Sequence, residues 1–246
     1  MPSLACTYLI TGTSRGLGLE MVRQLLDVGA TVVATCRNPG KATHLNELHA
    51  SAAGKDCLTI LPMDVTDDAS IASATKSVSF SHPQGIDILI HNAGISLKEE
   101  GSKALLDTSR HVLRSNLETN AISPIMVTRH FLPLLERAPN PGNKLISMIT
   151  SGLGSTTKNL GTDVPYGISK TALNKVIVEL SLELRSKNIP VTGMDPGWVN
   201  TDMGRALGFP PLQPKESVRG ILNLISRPPE ELNGQFYLYS GRKISL

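Results

Sequence analysis

Tyr166 and Lys170 stand four residues apart in the run Tyr166-Gly167-Ile168-Ser169-Lys170, just after Pro165. On a helix that spacing puts both on one face. A phenol titrates near ~10 in water, and an ammonium a few ångströms away favours the phenolate and lowers that value. The pair predicts a general acid/base near neutral pH. The spacing alone is common by chance. Its position gives it weight: one β–α unit after Ser151, and far downstream of a glycine-rich turn.

That turn is Thr11-Gly12-Thr13-Ser14-Arg15-Gly16-Leu17-Gly18, between an apolar run and a helical stretch. Strand, glycine-rich turn and helix in that order are the context of a dinucleotide site. Gly12 lets the backbone turn tightly, Gly16 lets it approach a pyrophosphate, and Gly18 lets helix and strand pack closely. The helix N-terminus offers free N–H groups and a positive dipole end to phosphates. The spacing is G-x-x-x-G-x-G, not G-x-G-x-x-G, and no G-K-[ST] follows. An acid about 20 residues on would hold the ribose 2′-hydroxyl of NAD. The second apolar run ends instead in Ala34-Thr35-Cys36-Arg37-Asn38, without an acid. A 2′-phosphate wants a planar cation with several donors; Arg37 supplies one, and Arg15 a second from the glycine turn. These residues predict NADP(H) rather than NAD(H).

The elements that must position these residues are legible as short apolar runs alternating with helical stretches. The runs are 4–10, 31–35, 58–61, 86–90, 144–149, 191–194 and 236–239. Seven such runs fit strands buried on both faces of a parallel sheet. Leu17, Met21, Leu25 and Val28 mark one helical face; Ala121, Ile125, Phe131 and Leu135 a second; Leu173, Ile177, Leu180 and Leu184 a third. Alternation of this kind predicts a doubly wound α/β sheet with right-handed crossovers. No linker divides the 246 residues, so a single domain over 1–246 is expected, with the Gly- and Pro-rich stretch 204–215 as a substrate lid.

Composition agrees with that class and bounds the rest. Hydrophobic residues are 40 % and charged residues 18 %, ordinary for a packed domain. The net charge of +3 is spread along the chain, which argues against a nucleic-acid surface. No apolar run approaches the ~20 residues of a membrane span, and the start Met1-Pro2-Ser3-Leu4 does not read as a signal peptide. Three cysteines (Cys6, Cys36, Cys57) without C-x-x-C suit reduced thiols in a cytoplasmic protein. The six histidines have no metal-ligand spacing, and no metal is expected.

Seven motifs in order resemble those of the short-chain dehydrogenase/reductase family. They are the glycine turn; Asp64-Val65; Asn92-Ala93-Gly94; Asn120; Ser151; Tyr166-x-x-x-Lys170; and Pro196-Gly197. The resemblance spans essentially the whole chain and the single-domain branch. Phe131-Leu132-Pro133-Leu134-Leu135 and Pro196-Gly197-Trp198-Val199-Asn200-Thr201-Asp202-Met203 are similar to the carbonyl-reductase-like and C-factor-like group. It implies a Rossmann-type fold and an NADPH-dependent reduction of a small carbonyl compound, with Tyr166 as proton donor. Ser151 would bond the carbonyl oxygen, Lys170 the nicotinamide ribose, and Asn120 a water leading from Lys170 to solvent. Asp64 would bond the adenine amine, with a helix cap before Thr66-Asp67-Asp68 as the alternative reading. Asn92 would line the ribose or simply tie the strand to its neighbours, and Thr201 would bind the carboxamide. Val65, Ala93, Gly94, Pro196, Gly197 and Val199 complete the implied cofactor site, together with Ser14 and Leu17.

The resemblance also implies a homodimer or homotetramer through helices at 118–137 and 166–187. Three departures stand out: His91 where a second asparagine is usual, Asp195 before Pro196-Gly197, and a long Ser151-to-Tyr166 gap. The gap leaves Ser147 and Ser155 as rival serines. Two other classes stay open: a nucleotide-binding regulatory protein, and a biosynthetic enzyme doing non-redox chemistry on the same fold. Substrate walls are expected from 95–100, 153–163 and 204–214. Leu153, Leu160, Leu207, Phe209 and Leu212 are apolar there and Lys158 and Asp163 charged, which suggests a fairly apolar, uncharged substrate.

Overall fold

The computed structural model describes residues 6–51, 53–99, 104–157, 162–206 and 208–245. Expectations placed on Leu4, Glu100, Lys158, Leu160 and Leu207 lie outside them. Seven strands form one parallel sheet: β1 Thr7–Thr11, β2 Thr31–Cys36, β3 Leu58–Pro62, β4 Ile88–His91, β5 Leu145–Ile149, β6 Val191–Asp195 and β7 Phe236–Leu238. Their order across the sheet is β3-β2-β1-β4-β5-β6-β7. The helices are α1 Gly16–Asp27, α2 Thr43–Ala50, α3 Gly54–Cys57, α4 Asp68–Ser81, α5 Arg110–Leu117, α6 Ser123–Glu136, α7 Val164–Glu183, α8 Asp202–Arg205, α9 Pro214–Ile225 and α10 Pro229–Leu232.

Alternation along each strand divides the core in two, because successive side chains point to opposite sheet faces. Tyr8 and Ile10 join Met21, Leu25, Val218 and Ile221 on the side of α1 and α9. Leu9 joins Ile71, Phe131, Leu173 and Ile177 on the side of α4, α6 and α7. Both sets are fully or nearly fully buried, each side chain contributing roughly 1.5–3 kcal/mol by leaving water. Such two-sided burial is why the strands read as unbroken apolar runs.

The sheet is wound outward from its middle. Chain order runs one way through β1, β2 and β3, then returns to place β4 against β1, with Ile10 opposite Ile90. Loops leaving β1 and β4 must therefore diverge, and a crevice opens at the carboxyl ends of the strands. The glycine turn and the Asn92–Gly94 turn are those two loops. Among the described residues no helix is long and apolar enough to cross a membrane. On the outer faces of the 118–137 and 166–187 stretches, the large hydrophobics left exposed are Ile122 and Leu182. Beside Leu182, the neighbouring surface of α7 is charged, with Lys175 and Glu179 paired.

Candidate active site

A cavity of about 1460 Å³ fills that crevice. At one end lie the glycine turn (Gly12, Ser14, Arg15, Gly16, Leu17), Arg37 and Asp64-Val65; at the other lie Ser151, Tyr166 and Lys170. Asn92-Ala93-Gly94 and Pro196, Gly197, Val199 and Thr201 line the length between. Gly18 and Asn120 do not line it and act from beneath.

The glycine turn is held by exclusion of side chains. A Cβ on Gly12, whose φ is +72°, would lie 2.8 Å from Ala93 Cα. One on Gly18 would lie 2.3 Å from Gly12 O and 2.5 Å from Asn92 Nδ2. Asn92 Nδ2 donates to Thr11 O and Gly12 O, both at 2.9 Å, so this asparagine ties β4 to the turn as well as lining the crevice. No side chain caps α1, leaving its first-turn N–H groups to the cavity. An uncapped helix start, a turn that admits no Cβ at Gly12 or Gly18, and two arginines fit a bound dinucleotide phosphate. Arg15 meanwhile faces Asp202 of α8 across the cavity mouth at 3.8 Å, an exposed pair of little energetic weight. Asp64 accepts from Thr66 N (3.0 Å) and Thr66 Oγ1 (2.7 Å), while the cap of α4 is Asp67.

The catalytic end is built on the first turns of α7 and the end of β5. Lys170 is 4 % exposed. Its Nζ donates to Ile149 O at 2.8 Å and stands 5.5 Å from the Tyr166 ring centre. Burial lowers Lys170 to about 8, against the opposing pull of Asp195. Tyr166 moves the other way from the sequence expectation. Burial raises its phenol, Asp195 and Asp163 raise it further, and only a hydrogen bond from Ser151 pulls it back. The desolvation of the phenolate and the two carboxylates outweigh that bond. The phenol is thus held firmly protonated, as a donor requires.

Ser151 caps the turn Gly152–Gly154, its Oγ accepting from Leu153 N at 3.2 Å. Ser147 lies wholly buried in β5 with an unpartnered Oγ, and Ser155 bonds Thr157; neither lines the cavity. Asn120 sits in a wide π-helical turn, Glu118–Ile122, between α5 and α6. Its Oδ1 accepts from Ile95 N at 2.9 Å, and its Nδ2 donates to Ile95 O (2.8 Å) and Ser169 Oγ (2.9 Å). Ser169 in turn donates to Tyr166 O at 2.7 Å. A chain of bonds therefore joins the β4 loop to the first turn of α7.

One supporting residue of the site carried no signal in the spacing. Asn174, one turn beyond Lys170, accepts from Thr150 Oγ1 and donates to Gly154 O, pinning the Ser151 turn. Asp163 starts α7 in the left-handed region (φ 52°), its Oδ2 accepting from Ser96 Oγ at 2.6 Å and facing Lys98 Nζ at 3.4 Å. His91 is buried against Thr128 Oγ1 at 2.9 Å, and burial lowers it to about 3, so it is a neutral core residue. Of the expected walls, Ile95, Leu153 and Asp163 line the cavity and are joined by Trp198 and Met203. Phe209 is 98 % exposed and Leu212 is buried against Val199, so neither forms a wall here. Among the described residues no three potential ligands gather around a metal position.

A parallel doubly wound sheet, a glycine turn at its switch point and a Tyr–Lys–Ser group at one end of the crevice define a nucleotide-dependent oxidoreductase. The family model for short chain dehydrogenases matches residues 7–209, and the chain belongs to that family. It is 32 % identical to the short chain dehydrogenase gsfK of Penicillium aethiopicum, over 98 % of this chain and all of that one. The NADPH-bound carbonyl reductase from chicken fatty liver superposes with a TM-score of 0.88 at 32 % identity, covering 98 % of each chain. Carbonyl reductase Sniffer of D. melanogaster gives 0.88 at 31 %, covering 98 % of this chain and 99 % of that one.

Proposed function

We propose that this protein is an NADPH-dependent carbonyl reductase acting on a ketone or aldehyde of a small, fairly apolar molecule. The observation that carries the reading is the convergence of Ser151, Tyr166 and Lys170 at one end of the cavity whose other end is the glycine turn. When bound, the reduced nicotinamide supplies the hydride. Ser151 Oγ and the Tyr166 hydroxyl then face the carbonyl oxygen, and Tyr166 gives it a proton as negative charge develops. Lys170 would hold the nicotinamide ribose and keep positive charge beside the phenol, with Asn120 supporting the loop above it and anchoring the water path. Val65 and Asp64 would flank the adenine, and Thr201 the carboxamide. Ile95, Leu153, Trp198 and Met203 make an apolar wall suited to an uncharged substrate. NADPH oxidation against a panel of ketones, aldehydes and quinones tests the reading. Turnover of none of them would reject it, favouring a nucleotide-binding regulatory role or non-redox chemistry.

NADP(H) preference rests on Arg37 and Arg15 and on the absence of an acid at the end of β2. Arg37→Ala should weaken NADPH binding by about 1–3 kcal/mol, the cost of one charge-assisted bond, and leave NADH binding nearly unchanged. Equal losses for both cofactors, measured by fluorescence titration, would contradict the assignment.

The whole chain works as a single domain, with 204–215 closing over the substrate and two or four copies assembling in the cytoplasm. Slower proteolysis of that segment with NADP bound, and a solution mass above 26.3 kDa, are the expected results.

A further inference from the structure

Asp195 ends β6, half-buried, on the cavity wall beside Ser151 and Lys170. Its backbone is locked by the sheet: it lies opposite Leu238 of β7, and its carbonyl accepts from Tyr239 N at 2.8 Å. The carboxylate reaches across two loops. Oδ2 accepts from Gly152 N and Oδ1 from Gly197 N, each at 2.9 Å. Gly152 follows Ser151 directly, and a Cβ there would already stand 3.1 Å from Oδ2, so the fit is close. Gly197 turns with φ +77°, and the preceding Pro196 O is fixed by Ser217 Oγ of α9 at 2.7 Å.

We propose that Asp195 is a positioning residue of the reduction: its carboxylate fastens the Ser151 turn to the Pro196–Gly197 turn and sets a fixed negative charge against the Tyr166–Lys170 pair. The proposal rests on Tyr166 being the proton donor. Burial raises the Asp195 carboxyl, and the N–H groups of Gly197 and Gly152, with the charges of Arg242 and Lys170, pull it back toward the ionised form; an amide in its place would present one oxygen to the two N–H groups. The two anchors hold Ser151, and with it the carbonyl oxygen, relative to the loop that carries Val199 and Thr201.

The charge has a separate effect. The groups facing Asp195 are Lys170 and Tyr166 of α7, and Arg242 beyond β7. Asp163 at the start of α7 adds its own charge against Tyr166. A negative charge beside Lys170 favours the ammonium, and beside Tyr166 it favours the neutral phenol. Both effects retain the proton on the catalytic pair. Removing the charge should let both protons leave at lower pH, so carbonyl reduction should fail earlier as the solution becomes alkaline. A fastener without electrostatic influence would alter rates but leave that limb in place.

The test is the pH dependence of kcat/KM for NADPH-driven reduction, in wild type, Asp195→Asn, Asp195→Ser and Tyr166→Phe. Asparagine keeps one acceptor and the shape; serine keeps neither anchor and offers a smaller side chain should asparagine not fold. Melting curves and NADPH titration confirm that each variant is folded. In both Asp195 variants the alkaline limb is expected to move down by about one unit, the effect of losing a neighbouring charge. Rates below the limb should fall between about tenfold and ~10²-fold as the carbonyl loses its placement. An alkaline limb coincident with wild type in the folded variants would overturn the proposal, whatever the rate. If Tyr166→Phe is inactive while that coincidence holds, the donor reading stands and only the role of Asp195 falls. If Tyr166→Phe reduces the substrate at near wild-type rate, the donor reading fails, and the role of Asp195 with it.

Discussion

Tyr166→Phe should slow the chemical step by ~10²-fold or more, the usual contribution of a positioned acid, while NADPH binding stays near wild type. The substitution removes one oxygen from a half-buried ring and leaves the ring in place beneath the Lys170 ammonium. Because burial and the charges of Asp195 and Asp163 hold the phenol protonated, the hydroxyl is a donor throughout the neutral range and its deletion has no ionic side effect there. The remaining partner is the Ser151 hydroxyl, which loses a hydrogen-bonding neighbour at the cavity wall and keeps its bond to Leu153 N. Single-turnover mixing of preformed NADPH complex with substrate reads the step itself. A variant that binds NADPH normally and reduces the substrate at close to the wild-type rate would show that another group gives the proton.

The features legible in the sequence are those with short-range causes. β2 and β5 announce themselves as apolar runs because both faces are covered. The glycine turn is readable because each glycine answers a local need, and the structure gives two of those needs distances, at Gly12 and Gly18. Tyr166 and Lys170 are found by helical spacing alone. What spacing could not supply is the sign of the perturbation at Tyr166. The expectation of a lowered phenol weighed one neighbour, Lys170, against water; the folded site adds burial and two carboxylates, one of them 29 residues further along the chain. Asp195 was visible as an unusual residue before Pro196-Gly197, yet its partners come from two different loops. Asp163 had even less signal, since left-handed backbone at an aspartate is set by the loop closing onto Ser96 and Lys98. The wide turn at Asn120 likewise depends on Ile95 and Ser169, both distant in sequence. Phe209 shows the opposite error: an apolar residue next to a site is not a wall unless the backbone turns it inward, and here it faces solvent.

Lys170→Met should cost more than rate alone. The ammonium is buried with one carbonyl bond, to Ile149 O, and one ring face, so its free N–H groups are directed at the cavity's catalytic end. Losing a preorganised donor of this kind costs ~10²–10³ in kcat; losing a charge-assisted bond to the nicotinamide ribose should weaken NADPH binding by about 1–3 kcal/mol. Methionine keeps the length and the apolar stem. The unmade bond at Ile149 O destabilises the fold, but removing a buried ammonium offsets it, so the melting temperature should move little while both functional quantities collapse. The pH profile separates the charge from the shape. Lys170 sits at about 8, charged below that value and neutral above it, so wild-type kcat/KM should fall as pH rises through about 8. In Lys170→Met the same limb should vanish, because no proton remains there to lose, and the much lower rate should run flat across that range. A variant that keeps the wild-type limb would assign it to Tyr166 or to the substrate. The burial of Lys170 would then serve only to orient the phenol through its ring face.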